Sequence, residues 1–343
     1  MPIFKGRFLA LAAASIAVIF AIACGGGSDD DGPAATAEPK LSGSIAIDGS
    51  STVFPITEAV AEEFRKKQPE VRVTVGIAGT GGGFTRFCNG ETSISDASRP
   101  ISAAEQANCL AKGVEYIELP VAYDALSVVV NTQNTFATCI TQAQLKTMWD
   151  QPSQGTITKW NQVNPAWPAD SFKLYGPGTD SGTFDYFTEH VNGKAKQSRS
   201  DYTASEDDNV LVTGVSGDKN ALGYFGLAYL EENKTKIKAV PVDKGDGKCV
   251  EPNAANVENG SYPLSRPLFI YVKKTDAAKP EVKAFVDFYM SNMAKLAADV
   301  GYVKFPDKLY PMIQQRWTSS KIGTMYAPAP AAGTTLEQLL SKI

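Results

Sequence analysis

The stretch 176–187 reads Gly176-Pro177-Gly178-Thr179-Asp180-Ser181-Gly182-Thr183-Phe184-Asp185-Tyr186-Phe187. An apolar run, Phe172 to Tyr175, leads into it, and Phe184, Phe187 and Val191 recur behind it at helical spacing. A strand, a tight loop of small residues and a helix start aim unpaired backbone N–H groups at whatever lies above the loop. Ser181 and Thr183 add hydroxyls, and Gly182 lets the backbone approach closely. Taken singly, such a loop is equally well a capped helix start. Two further loops repeat the chemistry: Gly49-Ser50-Ser51-Thr52 before a helix, and Gly79-Thr80-Gly81-Gly82-Gly83 before another. A fourth stretch, Ser93-Ile94-Ser95-Asp96-Ala97-Ser98-Arg99-Pro100, carries a carboxylate and a guanidinium three residues apart. Arg99 has the planar fork that suits two oxygens of a tetrahedral oxyanion. Asp96 is an acceptor: hydrogen phosphate can donate its proton to it, whereas sulfate has none and would be repelled. A surface pair of Asp96 with Arg99 is the plain alternative.

Enzymatic readings find little support. Asp180-Ser181-Gly182-Thr183 matches the aspartic-protease tetrapeptide, but those sites need two carboxylates sharing a proton and the chain has no second such signature. The single histidine, His190, follows the loop on its helix and is not placed to serve a nucleophile elbow, so an exported hydrolase using Ser181 is the weaker reading. The glycine-rich loop at 79–83 lacks the lysine of a P-loop. No cysteine or histidine spacing suggests a metal, and no cofactor is expected.

The elements that hold these loops alternate. Strands are predicted at 43–48 and 71–77, with a helix over 54–67 between them in which Ile56, Val60 and Phe64 fall in line and Pro55 sits in the first turn. Further strands are predicted at 116–119, 125–130 and 262–272, and helices at 141–149, 279–290 and 336–343. Alternation of this kind predicts an α/β sheet with ligands at the carboxyl ends of the strands. A domain crossing is expected near 121–127. Trp149, Trp160 and Trp167 are read as core rather than as a sugar platform.

The N-terminus reads as a targeting segment. Lys5 and Arg7 precede an apolar stretch that ends Ala21-Ile22-Ala23-Cys24, followed by three glycines. This resembles a bacterial lipoprotein signal (residues 1–23) with Cys24 as the lipid-bearing residue, and 24–41 as a flexible tether. Without that signal the 33 lysines and arginines fall by two to 31, against 37 acidic residues, a formal charge of −6. An acidic chain with no basic run is not built for nucleic acid. Four cysteines remain in an exported chain, and two disulfides are expected, Cys88 with Cys109 and Cys139 with Cys249.

In this order the motifs Asp48 to Thr52, Gly79 to Phe84, Ser95 to Ile101, the 176–187 loop and Pro263-Leu264-Ser265-Arg266-Pro267-Leu268 resemble the substrate-binding proteins of phosphate-specific ABC importers, a periplasmic-binding-protein-like family. The resemblance spans 43–317. It implies two α/β lobes, each a mixed sheet flanked by helices, closing on inorganic phosphate in the cleft between them. Lobe 1 would comprise 42–124 plus 262–343, and lobe 2 would comprise 125–261. Ser51, Thr52, Thr80 and Arg99 would donate from the first lobe, with Gly79 and Gly81 as alternative contacts beside Thr80. Asp96 would take the ligand's proton, and Ser181, Gly182 and Thr183 would donate from the second lobe. The implied protein is a monomeric, non-catalytic lipoprotein on the extracytoplasmic face of the membrane or in the periplasm, delivering phosphate to an ABC permease. Binders of another oxyanion, phosphonate or sulfate, are the neighbouring alternative. The chain departs from many members at Pro177, where an arginine is usual. Arg99 is the expected substitute, and Arg199, near Asp201 and Asp207, is expected to be a structural ion pair.

Overall fold

The computed structural model describes residues 40–179, 181–205, 207–331 and 333–342; the signal segment, Cys24 and the tether up to residue 39 lie outside the described residues. Ile45 and Ile47 bury one face of the first strand, β1 (Gly43–Gly49), and the helix α1 (Phe54–Lys67) lies over it. The buried stripe of α1 is Ile56, Thr57, Val60, Ala61 and Phe64. Arg65, Lys66 and Lys67 close its last turn, where cations complement the helix dipole. The chain returns through β2 (Val71–Val75), α2 (Gly79–Cys88), β3 (Ile94–Ala97) and a helix, α3 (Ala103–Ala111). β2 and β3 pair parallel to β1 on either side, so the loops that follow β1, β2 and β3 open at one end of the sheet.

β4 (Tyr116–Asn131) is a single strand of 16 buried residues. Two strands, at 116–119 and 125–130, are expected here, and Pro120 between them cannot donate to a ladder. The sheet absorbs the proline by shifting register between Leu268 and Phe269 of the partner strand, and the strand runs on. Then follow β5 (Ile140–Thr141), α4 (Gln142–Trp149), α5 (Trp160–Val163), β6 (Lys173–Pro177), α6 (Gly182–Phe187), β7 (Thr203–Ser205), β8 (Ala221–Gly226), β9 (Ile237–Ala239), β10 (Val242–Asp243) and β11 (Ser265–Lys273). Among the described residues the large sheet has the order β2-β1-β3-β11-β4-β8-β6-β7, with β9 paired to the far end of β4. β11 runs antiparallel to the first part of β4, from Tyr116 to Ala125, and β8 to the second, from Leu126 to Val130. β4 is thus the strand through which the two halves of the sheet are joined.

The long helix Pro280–Asp299 extends nine residues beyond the 279–290 expected. Ser291 and Asn292, just past the expected end, bond back to carbonyls one turn earlier, Asp287 and Phe288. Met293, Leu296 and Ala297 continue the buried face. This helix covers α1, with Phe285 edge-on to Phe64 at 5.3 Å between ring centroids. Trp149 and Trp160 are fully buried and Trp167 nearly so, as core residues. Trp149 meets Phe187 and Tyr224 edge-on, and those two rings stack at 3.8 Å. That cluster fixes α6, and hence the Ser181 loop, against β8. Both expected disulfides are present, Cys88–Cys109 under α2 and α3 and Cys139–Cys249 tying β5 to the loop after β10.

Candidate functional site

Asp48 organises the floor of the site. Its carboxylate accepts from the backbone N–H of Gly49 and of Ala78 and pairs with Arg86, so the loops after β1 and β2 share one anchor. Gly49 has φ +148°, and a Cβ there would stand 2.1 Å from the Asp96 carbonyl oxygen. Only glycine allows that approach, and the next residue, Ser50, then donates its N–H to the same carbonyl at 2.9 Å. The β1 loop is thereby pinned directly above Asp96. Thr80, in the first turn of α2, shares a hydrogen bond with Ser98 at 3.0 Å between hydroxyls, which draws the β3 loop alongside.

Ser51, Thr52, Thr80 and Arg99 line one cleft of about 290 Å³, together with Ser50, Ser98 and residues from the other half of the molecule. The far wall comes from the helix after the Ser181 loop. Ser51 donates to Asp185 Oδ2 at 3.2 Å, and Thr52 Oγ1 donates to the Gly182 carbonyl at 3.1 Å. A Cβ on Gly182 would lie 2.5 Å from Thr52 Cα, so the two sides are in backbone contact. Ser181 caps α6, its hydroxyl accepting from Thr183 N–H at 3.2 Å, and a π-helical turn at Thr188–Asn192 carries the helix on. Ser181, Gly182 and Thr183 therefore flank the cleft rather than line it.

Asp96 is the most perturbed group here. It lies fully buried beneath the cleft, outside its lining, and neither carboxylate oxygen has a hydrogen-bond partner among the described residues. Burial pushes its carboxyl up to about 8; the Thr57 hydroxyl nearby lowers it somewhat and Asp48 raises it further. An ionised Asp96 would refuse sulfate, but at neutral pH this carboxyl holds its own proton and can donate.

Arg99 is also differently engaged than its motif suggests. Nη1 and Nη2 each donate to Glu105 at 2.9 Å, and the same Glu105 closes the capping box of α3 with Ser102. The pairing holds the Glu105 carboxyl below its ordinary range, against its burial. Arg99 faces the cleft, yet its two-pronged edge is turned to Glu105. The signal was in the chain: Ser102-x-x-Glu105 is a capping-box pattern. Arg199 is structural, buried, bonded to Asp201 and to the carbonyls of Met148 and Ile157.

The cleft also holds Asp185, Glu189, Lys196 and Arg266, none of which motif reading placed there. Asp185 and Glu189 lie four residues apart, one helical turn, and could have been read as a common face. Burial raises the Asp185 carboxyl, offset in part by Lys196, Ser51 and Arg266. No group of three or more His, Cys, Asp or Glu residues among those described is placed to hold a metal.

Residues 34–293 match the model of the PBP superfamily domain. The chain belongs to that superfamily. Its relatives include Protein SphX of Synechococcus elongatus, 51% identical over 297 residues that cover 86% of this chain and 88% of the relative. The phosphate-binding protein PstS of Staphylococcus saprophyticus is 38% identical, with the same 86% and 88% coverage. The crystal structure of a possible phosphate binding protein from Planctomyces limnophilus is 51% identical and superposes with a TM-score of 0.80, covering 82% of this chain and all of that one. The mixed α/β fold described above matches that of the Planctomyces limnophilus structure.

Proposed function

We propose that this protein is an extracytoplasmic solute-binding lipoprotein that takes inorganic phosphate between two lobes and delivers it to an ABC permease. The observation that carries the reading is convergence. The loops after β1, β2 and β3 and the helix after β6, far apart in the chain, meet at one cleft lined by hydroxyls and by Arg99, Lys196 and Arg266 beside Asp185 and Glu189, with a buried carboxyl beneath it. Such donors hold an anion without a strong global field, which suits a chain of net negative charge. The names of the PstS and Planctomyces relatives point to the same ligand.

In this reading the lobes are 42–124 with 262–343, and 125–261, hinged at β4 and β11. Ser51, Thr52 and Thr80 donate from the first, Ser181, Gly182 and Thr183 from the second, and Asp96 shares one proton with the ligand. Arg99 adds positive potential while held by Glu105. Cys24 carries the lipid, and the protein acts as a monomer with no catalytic step. Calorimetric titration of phosphate and sulfate into the chain lacking residues 1–24 tests the proposal. Saturable one-to-one phosphate binding is expected, and no hydrolysis of phosphoesters. Absence of phosphate binding, or turnover abolished by Ser181→Ala, would refute it.

A further inference from the structure

Arg266 stands on β11 opposite Asp124 of β4, at the junction of the two halves of the sheet. Its side chain is 14% exposed and lines the cleft. Three groups surround the guanidinium. Nη2 is 3.3 Å from Thr52 Oγ1, Nε is 3.5 Å from Asp124 Oδ2, and Nη1 is 3.7 Å from Glu189 Oε2. The guanidinium carbon lies 3.7 Å from the centre of the Tyr186 ring, so the fork is held flat over an aromatic face.

These contacts orient the group without saturating it. Nε is buried and, 3.5 Å from Asp124 Oδ2, makes at best a long, poorly aligned contact, and Glu189 is farther still at 3.7 Å. Of the other cleft-lining cations, one is fully engaged by a carboxylate and the other is largely exposed. Arg99 is doubly bonded to Glu105, and Lys196 lies 3.9 Å from Asp185. A largely buried guanidinium with an unfilled donor, lining the cleft beside Thr52, is placed to meet an anion held in that cleft. It also touches both sides, Thr52 of one and Tyr186 and Glu189 of the other.

Resting on the phosphate reading above, we propose that Arg266 is the charged donor that binds the anion in this cleft. Asp124, Glu189 and Tyr186 are its positioning groups, and Arg99 contributes potential rather than the two-pronged contact.

The test compares phosphate titrations of the unmodified protein with Arg266→Ala, Arg266→Lys and Arg99→Ala. Arg266→Ala should weaken phosphate binding on the order of 100-fold, the loss of a buried charged hydrogen-bond pair. Arg266→Lys should recover part of it, since charge is restored without the fork. Arg99→Ala should cost less than Arg266→Ala. Thermal melting before phosphate addition separates a folding defect from a binding one, and if Arg266→Ala does not fold, Arg266→Lys decides by the same titration. Phosphate affinity unchanged in the folded Arg266 variants, or a larger loss in Arg99→Ala, overturns the assignment. An unmodified protein that binds no phosphate overturns this assignment and the phosphate reading together.

Discussion

Replacing Asp96 by asparagine removes one ionisation from a fully buried position, and the consequence can be worked from the structure. Its carboxyl sits at about 8 in the folded protein, against about 3.9 in an unfolded chain. Below pH 4 both states hold the proton and the residue costs nothing. Between pH 4 and 8 the unfolded state releases its proton and the folded state keeps it, so stability falls as pH rises, by about 1.4 kcal/mol per unit. Above pH 8 both are ionised and the cost is constant. At pH 7 it amounts to about 4 kcal/mol. Asp96→Asn escapes this slope. Its stability advantage over the unmodified protein should widen from pH 4 to 8 and then level off, as read by urea unfolding of phosphate-stripped protein. The same proton governs anion choice. Up to about pH 8 the protonated carboxyl can donate to sulfate; above it, sulfate must bring a proton from solution, at about tenfold in affinity per pH unit. Hydrogen phosphate carries its own and is spared. The preference for phosphate over sulfate should therefore rise through pH 8, and the rise should vanish in Asp96→Asn. A preference that stays constant from pH 6 to 9, or a stability gap that does not change with pH, would show that Asp96 is ionised throughout and that the argument fails.

Gly182→Ala should abolish high-affinity anion binding and lower the melting temperature, because the added Cβ would stand 2.5 Å from Thr52 backbone where the two sides already touch; calorimetry paired with a thermal melt checks both halves. Arg199→Ala should destabilise the fold by about 1–3 kcal/mol, because it leaves two carbonyls unpaired and Asp201, about a third exposed, without its partner, with phosphate affinity unchanged in the folded fraction; denaturant unfolding and titration separate the two. Reducing Cys139–Cys249, which closes a loop of 110 residues, should cost about 4–5 kcal/mol by chain entropy, visible as a lower melting temperature under reductant.

Much of the loop chemistry around the cleft could be read from the chain because its parts are local. Ser51, Thr52, Thr80, Ser181, Gly182 and Thr183 follow strands and open helices, and that placement depends on a few neighbouring residues with the right backbone freedom. The helix at 54–67 and the core tryptophans followed from periodicity and size alone. Asp96 and Arg99 were recognisable as chemistry-bearing types in a short motif. The strand at 116–131 was not, because Pro120 is a break by local rules and only a register shift against Leu268 and Phe269 in β11 accommodates it.

Tertiary structure decided what each charged group faces. Asp96 became a proton-holding carboxyl because the β1 loop closes over it, and burial depth has no local signature. Arg99 turned to Glu105, a partner six residues away that competes with any ligand for the same fork. Arg266 reaches Thr52 across 214 residues of chain, through the antiparallel register of β11 with β4. Residue types and loop chemistry are properties of short segments and survive in the linear chain. The assignment of charges to partners depends on sheet register and on how two halves close, and no short segment contains that information.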